Sequence, residues 1–591
     1  MDDRDAARHA SDGGGAVTLV SVDPQTPRVG DPVRIELLYT AGPLGVAEGG
    51  GIELIPPAFW GWSPPQVARI DAPGGCTVET EADGVRLGLI AAQGTVVANV
   101  AGRALRAGEQ VRWVYGAGAS GARVDRFAER GAQLWIGVDG DGDGVRSLVD
   151  PPVTIDVAAG APVGVLPTLP STAEPGHPVR LTVAVLDRVG SAFGPWAGEA
   201  GLELSPGLSG PDSVVLDGRG LGQATLVADR PGVHYAWVRW GGASPVRTNP
   251  MVVRKGVPPI LWGDLQIHTG MSDGTGSLDD VYRYARDVAA LDVAVPTDHD
   301  HWGMAFLDTH PELWDATQAA AARWYVPGSF VTAPGFEWTN WVYGHRHVIF
   351  FADDGPLLSS LDPAYDRPDE LWAALEGLPA ITVAHHSAGG PVAVDWRFRP
   401  PAHIEPVTEI ASVHGQSLAW DDPGRIYAPV RGNFVEDQLR NGLRVGFLGS
   451  TDGHDGHPGL SHLAGPHGGL AAIGAPARTR EAVLDALRRR AVYATNGVRI
   501  ILRVELGGVS MGGQLAPAPS AEGVVRVVGT APLERVDVVG RDGVLAALSP
   551  DGAEAMSGRF TLTDLVDGDF VYVRVRQRDG GMAWSSPVFV E

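Results

Sequence analysis

The chain is 591 residues long, 44% hydrophobic and 20% charged, with 80 Gly, 46 Pro and a single cysteine, Cys76. That length exceeds one hydrophobic core and sets an expectation of roughly three to five domains, while the Gly and Pro content suits turn-rich β modules rather than helical bundles. A formal net charge of −24 weighs against nucleic acid or an anionic membrane as the main partner. One cysteine excludes an intramolecular disulfide and a zinc site built on several thiolates.

The first residues, "MDDRDAARHASDGGGAV", are acidic and polar, unlike a signal peptide. No apolar run approaches the about 18 residues that a spanning helix needs. The expected setting is cytoplasmic, with no membrane partner, and residues 1–15 read as a disordered tail.

Residues 16–157 carry short, partly alternating runs such as "VTLVSVDP", "DPVRIELLYT" and "QVRWVYGA", the signature of a β-sandwich-like module. Within it, "DGDGDGVRSLVD" puts Asp139, Asp141 and Asp143 at relative positions 1, 3 and 5, and Asp150 at 12, a calcium-loop spacing. The twelfth residue is Asp rather than Glu, and Pro151-Pro152 disfavours an exiting helix. A Gly/Asp-rich turn is therefore preferred, with calcium as the alternative. Residues 158–256 repeat the β style and read as a second, Ig-like sandwich. Residues 501–591, with "IILRVELGG" and "DFVYVRVRQRDG", read as a C-terminal β-sandwich.

The middle segment differs. Of 17 histidines, only His9, His177 and His234 lie outside residues 257–500. Helical patterns "SLDDVYRYARDVAA" and "TREAVLDALRRR" have Ser277 and Thr479 as N-cap candidates. Between them fall strand candidates "LDVAVPT", "FVTAPGFE", "HVIFF", "AITVAHH", "VTEIAS" and "RVGFLGSTD". This alternation predicts a central distorted parallel α/β barrel flanked by the β-sandwich modules.

Candidate ligands sit where these runs end: Gln266 and His268, Asp298 and His299, Glu337, His385, and Asp452 with His454. In a βα barrel the C-terminal strand ends gather on one face. Histidine and carboxylate groups gathered there have the ligand chemistry for zinc, manganese or iron. The glycines form neither a P-loop nor a strand–GxGxxG–helix unit, which disfavours a nucleotide cofactor.

In order, "GDLQIHTGMSDG", "TDHD", "GFEW", "HVIFF", "VAHHS" and "STDGH" resemble the polymerase and histidinol phosphatase (PHP) superfamily of metal hydrolases. With "LDALRRRAVYATNGVRI" they look more particularly like its DUF3604 branch, over roughly residues 260–505. The resemblance implies a PHP-type barrel with two or three divalent ions (Mn, Fe or Zn). One ion would use His268, Glu337, Asp452 and position 266; a second, Asp273, His299 and His454; a third, Glu337, His347 and His385. His345 competes with His347, and His386 with His385. The family motif is His-x-His, whereas this chain has Gln266-Ile267-His268; the amide oxygen either ligates more weakly than imidazole or hydrogen-bonds a metal-bound water or the substrate instead, so a retained but retuned site is expected.

The expected reaction is hydrolysis of a small-molecule phosphoester by a metal-bridging hydroxide, with Asp452 and His454 in the catalytic set. The proton for the leaving group would come from His301, His414 or His457. Trp338, in "WTNW", and Arg346, Arg397, Arg399 and Arg425 are the candidates for contacting substrate. The alternatives are hydrolysis of an amide, lactone or carboxylic ester, and a non-catalytic binding scaffold. The oligomeric state is left open.

Overall fold

The computed structural model describes residues 14–57, 61–92, 94–463 and 467–591. Residues 1–13 of the expected tail lie outside that set. Among the described residues no helix is long and apolar enough to cross a membrane.

Two sheets form the N-terminal region. Strands Gly15–Asp23, Pro32–Ala41, Gln110–Tyr115 and Cys76–Glu79 are the main strands of one; Glu129–Asp139, Gly51–Ile55, Thr95–Ala101 and Arg86–Ala92 are those of the other. Side chains alternate across a strand, so Val33, Ile35, Leu37 and Tyr39 of the first sheet meet Ile52, Leu54, Val96 and Ile136 of the second in one buried core. A separate core, including Leu181, Val183, Leu226 and Val238, organises the three small sheets between residues 162 and 253.

The central region corrects the barrel expectation. Helix accounts for only 9% of the structure against 42% in strands, and the strands of the described residues form no closed parallel barrel. Leu261–Ile267, Val293–Pro296 and Val331–Thr332 are parallel neighbours, but Leu261–Ile267 pairs antiparallel with Leu470–Ile473 on its other edge. A second sheet begins with the antiparallel pairs Gly335–Trp338/Arg346–Phe350 and Arg346–Phe350/Ala380–Ala384. It continues in parallel through Val407–Ser412 to Gly446–Gly449. The cause is loop length. Only seven residues, 339–345, join Trp338 to Arg346, too few for the helical crossover that parallel strands require.

The two half-barrel sheets enclose a shared core that includes Leu265, Val295, Ile349, Val383, Val407 and Leu448, with Val483 and Leu487 of the helix Arg480–Arg488 packed against it. Two isolated bridges join their rims, Ile267 to Gly453 and His299 to Glu337. The first sheet runs on into the C-terminal strands, where Val492–Thr495 pairs with Met582–Ser585. Helix α1 (Leu278–Asp287) starts at Ser277, whose hydroxyl accepts from Asp280 N, and Thr479 caps Arg480–Arg488 in the same way. Helix α2 spans Pro311–Trp324.

The regions are bound to one another by polar contacts. Trp262 Nε1 donates to Ser171 Oγ at 2.8 Å, Tyr284 Oη to Gly190 O at 2.6 Å, and Arg247 to both carboxylate oxygens of Glu554. Arg130 of the N-terminal region pairs with Asp280 of α1.

Candidate metal centre

The two bridges between the half-barrels lie where the histidines and acids collect. Glu337 is the hub. Its Oε1 lies 2.7 Å from His345 Nδ1 and 3.2 Å from His299 Nδ1, and its Oε2 lies 3.3 Å from His268 Nε2 and 3.4 Å from His385 Nε2. Gln266 Nε2 donates to the same Oε2 at 3.2 Å. Asp452 is a second shared carboxylate, with Oδ1 3.2 Å from His268 Nε2, and Oδ2 3.0 Å from His414 Nε2 and 3.6 Å from His385 Nδ1. Asp273 Oδ1 completes the set at 3.4 Å from His299 Nε2 and 3.3 Å from His454 Nε2.

Ligand atoms of His268, Asp273, His299 and His454 lie within 4.8 Å of one another, as do those of Glu337, His347 and His385, and of His268, Glu337 and Asp452. The structure thus brings together every residue expected to hold metal. Both members of each competing pair are present, since His386 Nε2 lies 3.3 Å from His345 Nδ1 and groups with His345 and His385.

Supporting hydrogen bonds fix these side chains. Asp264 accepts from Thr451 N at 3.0 Å, Thr451 Oγ1 at 2.5 Å and Gly459 N at 2.8 Å, tying the Asp452 loop to the strand that carries Gln266. Asp298 accepts from Thr269 N, Thr269 Oγ1 and Ser272 Oγ at 2.6–2.9 Å, holding the loop that presents Asp273. His299 Nδ1 contacts Thr339 Oγ1 at 2.7 Å. Asp452 itself sits at φ +51° and His386 at φ +35°, left-handed conformations that cost energy in non-glycine residues and concentrate at functional sites.

Electrostatics favour cation binding. Burial raises the carboxyls of Glu337, Asp273 and Asp452, but the surrounding imidazoles outweigh it and hold all three well below the usual range. Burial and the charge on His299 oppose protonation of His268, yet Asp452 and Glu337 push it up to about 10. Burial, reinforced by the charge on His385, keeps His347 and His386 well below the ordinary imidazole value. Several buried atoms here have no hydrogen-bond partner: Gln266 Oε1, His268 Nδ1 and both ring nitrogens of His347. Orphaned polar atoms are expensive when dry, and nitrogen and carboxylate donors gathered this way suit Zn, Mn or Fe.

Some expected residues lie elsewhere. Alternation along Arg346–Phe350 turns His347 inward and Arg346 away; its fully buried guanidinium pairs with Glu405 at 3.1 Å and lies over the rings of Trp338 and Trp372. Trp338, beside the inward Glu337, is likewise core and donates to Tyr365 O. Arg397 is 85% exposed and grips Asp395, Arg399 is exposed, and Arg425 stacks on Trp420. His301 belongs to a neighbouring network with Asp300 Oδ1 at 2.8 Å and Ser360 Oγ at 3.1 Å. His457 is packed between Phe127 and Tyr284. Of the expected proton donors, His414 alone of these three contacts the centre.

In the loop from Asp139, the carboxylates serve a turn. Asp139 accepts from Gly142 N and Gly144 N, Asp141 from Asp143 N, and Asp143 from Val145 N. The loop joins the antiparallel strands Glu129–Asp139 and Ser147–Leu148, with Asp150 exposed beyond them.

Two features went unread in the sequence. Glu409, buried on Val407–Ser412, groups with His385 and Asp452; a lone acid in the otherwise apolar or small run "VTEIAS" was the available signal, because a buried carboxylate needs a partner. Trp302 is the other: with Trp341, the second tryptophan of "WTNW", it forms the aromatic rim in place of Trp338. Trp302 Nε1 donates to Asp273 Oδ2 at 3.1 Å, and Trp341, 45% exposed, stacks edge-on to His345 at 5.1 Å.

Among known proteins, the chain is 24% identical over 367 residues to an uncharacterized protein of Chlamydia pneumoniae, covering 56% of this chain and 58% of that one. It is 24% identical over 364 residues to an uncharacterized protein of Chlamydia trachomatis, with 56% and 57% covered. The alignments therefore span less than two thirds of these relatives. Solved structures include Yersinia pseudotuberculosis InvD, 14% identical with 42% of this chain and 61% of that one covered, at a TM-score of 0.17, too low to inform the fold. Residues 292–388 and 460–523 match the family described as "Protein of unknown function (DUF3604)", and the DUF3604 resemblance of the central motifs is thereby supported.

Proposed function

We propose that this chain is a metal-dependent hydrolase of small organic substrates, with phosphoesters as the leading class. The observation that carries this reading is the sharing of Glu337 and Asp452 among several buried imidazoles, with Gln266 Oε1 and both ring nitrogens of His347 buried beside them without a hydrogen-bond partner. The order of the ligand-bearing motifs, which resembles that of the PHP hydrolases, also supports it. His268, Glu337 and Asp452 would hold one ion, Asp273, His299 and His454 a second, and Glu337, His347 and His385 a third. Bound divalent ions supply Lewis acidity, lowering the pKa of water and offsetting charge that develops on the scissile group.

The protein's own groups do the rest. Asp264 and Asp298 fix the loops that carry the ligands. His414, 22% exposed with Nε2 3.0 Å from Asp452 Oδ2, would supply the proton to a leaving group. Trp302 and Trp341 narrow the approach.

Hydrolysis of a carboxylic ester, lactone or amide is the second reading. It is favoured by the arginines: Arg346, Arg397 and Arg425 are engaged by Glu405, Asp395 and Trp420, so none of them grips a phosphate at the centre. Turnover of 4-nitrophenyl phosphate and 4-nitrophenyl acetate by one metal-reloaded preparation tests both. Phosphate turnover that vanishes with chelator supports the first reading, acetate turnover alone supports the second, and neither overturns the hydrolase assignment.

A further inference from the structure

A cavity of about 890 Å³ lies between the N-terminal β region and the loop Gly270–Ser277 that presents Asp273. It reaches the metal centre directly. Asp273 and Trp302 line it, and they are the pair joined by the 3.1 Å hydrogen bond beside His299 and His454. The N-terminal region supplies Ile55, Trp62 and Trp135; the central region supplies Met271 and Met304, with Ala316 and Ala319 from α2. Ala316, Ala319 and Arg323 follow helical spacing, so one face of α2 floors the cavity.

Charge decides what it takes. The cationic lining residues Arg130 and Arg323 are paired with Asp280 and Asp279, which leaves aromatic, thioether and aliphatic surface as the main recognition chemistry. The size falls within the roughly 300–1,000 Å³ of small-molecule pockets. The wall is tied to the metal loop as well: Glu129 accepts from Trp62 Nε1 at 3.4 Å and from the backbone of Gly276.

We propose that this cavity binds the neutral, apolar portion of the substrate, an aryl or comparably bulky group, so that the N-terminal β region is the specificity wall of the metal centre. The catalytic half of this inference rests on the hydrolase reading; the binding half does not. The test uses full-length protein and the neutral naphthyl fluorophore prodan, titrated into chelator-treated and metal-loaded samples. The expected result is one saturable site in both, weakened at least tenfold by Ala319→Trp, which fills the cavity from an exposed helix position, and by Trp135→Ala. Circular dichroism and metal content should be unchanged. Absence of saturable binding, or binding indifferent to both substitutions, overturns the proposal. Relative turnover of 2-naphthyl and methyl phosphates, and of the corresponding acetates, separates the two failures. No turnover with prodan binding intact sinks the hydrolase reading alone. Turnover whose aryl preference survives Ala319→Trp sinks the cavity assignment alone.

Discussion

Gln266 places its Nε2 3.2 Å from Glu337 Oε2 and 2.9 Å from His385 Nδ1, while its own Oε1 is buried without a partner. A histidine is usual at this position in the family the motifs resemble. Here the amide pins the shared carboxylate and leaves a neutral oxygen facing the cluster.

Gln266→Ala should therefore loosen metal by about 10–100-fold, the usual cost of losing a group that orients ligands. Gln266→His should tighten it. Competition against a chromophoric chelator measures both, and equal affinities for all three proteins would show that the position is inert.

His414 is the expected proton donor. His414→Gln should lower kcat by about 10²–10⁴-fold with metal content retained. The loss should be smaller for 4-nitrophenyl than for alkyl leaving groups, since a good leaving group needs no proton. A uniform loss across leaving groups would mean that His414 only positions Asp452.

The junction of the N-terminal region should respond to pH. Burial, with the charge of Glu129 adding, pushes Asp125 up to about 8, and burial pushes Glu129 up to about 7. Both folded values exceed the unfolded ones of about 4, so the folded state binds more protons across that window. Stability from this pair is fully present below about pH 4 and is lost as pH rises through 7 to 8. Thermal unfolding should show Tm falling between pH 5 and 9, with a flatter profile in Glu129→Gln.

The sequence made the site more legible than the fold. Gln266, His268, His299, Glu337, His385, Asp452 and His454 could be found because each lies at or just after the end of an apolar run, which marks a strand end without any knowledge of its partner; Asp273, His345 and His347 came only from the resemblance of the motifs around them. Pairing is non-local, and there the barrel expectation failed: the seven residues between Trp338 and Arg346 force a hairpin. Alternation across that hairpin also decides side chains, since Glu337 and His347 face in while Trp338 and Arg346 face away. The aromatic and cationic residues beside the ligands were read as substrate contacts because proximity in sequence was taken ahead of strand period.

Glu409 was missed for a related reason, sitting inside a strand rather than at its end. Burial and the neighbouring charge of Asp452 hold its carboxyl well above the usual value. Glu409→Gln should lower metal affinity about tenfold without unfolding the protein, as read by the same chelator competition and by circular dichroism.

Metal content per chain, by inductively coupled plasma mass spectrometry on protein purified without chelator or affinity metal, tests the central claim most directly. The account predicts at least two equivalents of zinc, manganese or iron, matching the separate ligand groups, and a fall in Asp452→Ala. Near-zero metal after incubation with each ion, or the same content in Asp452→Ala, would contradict it.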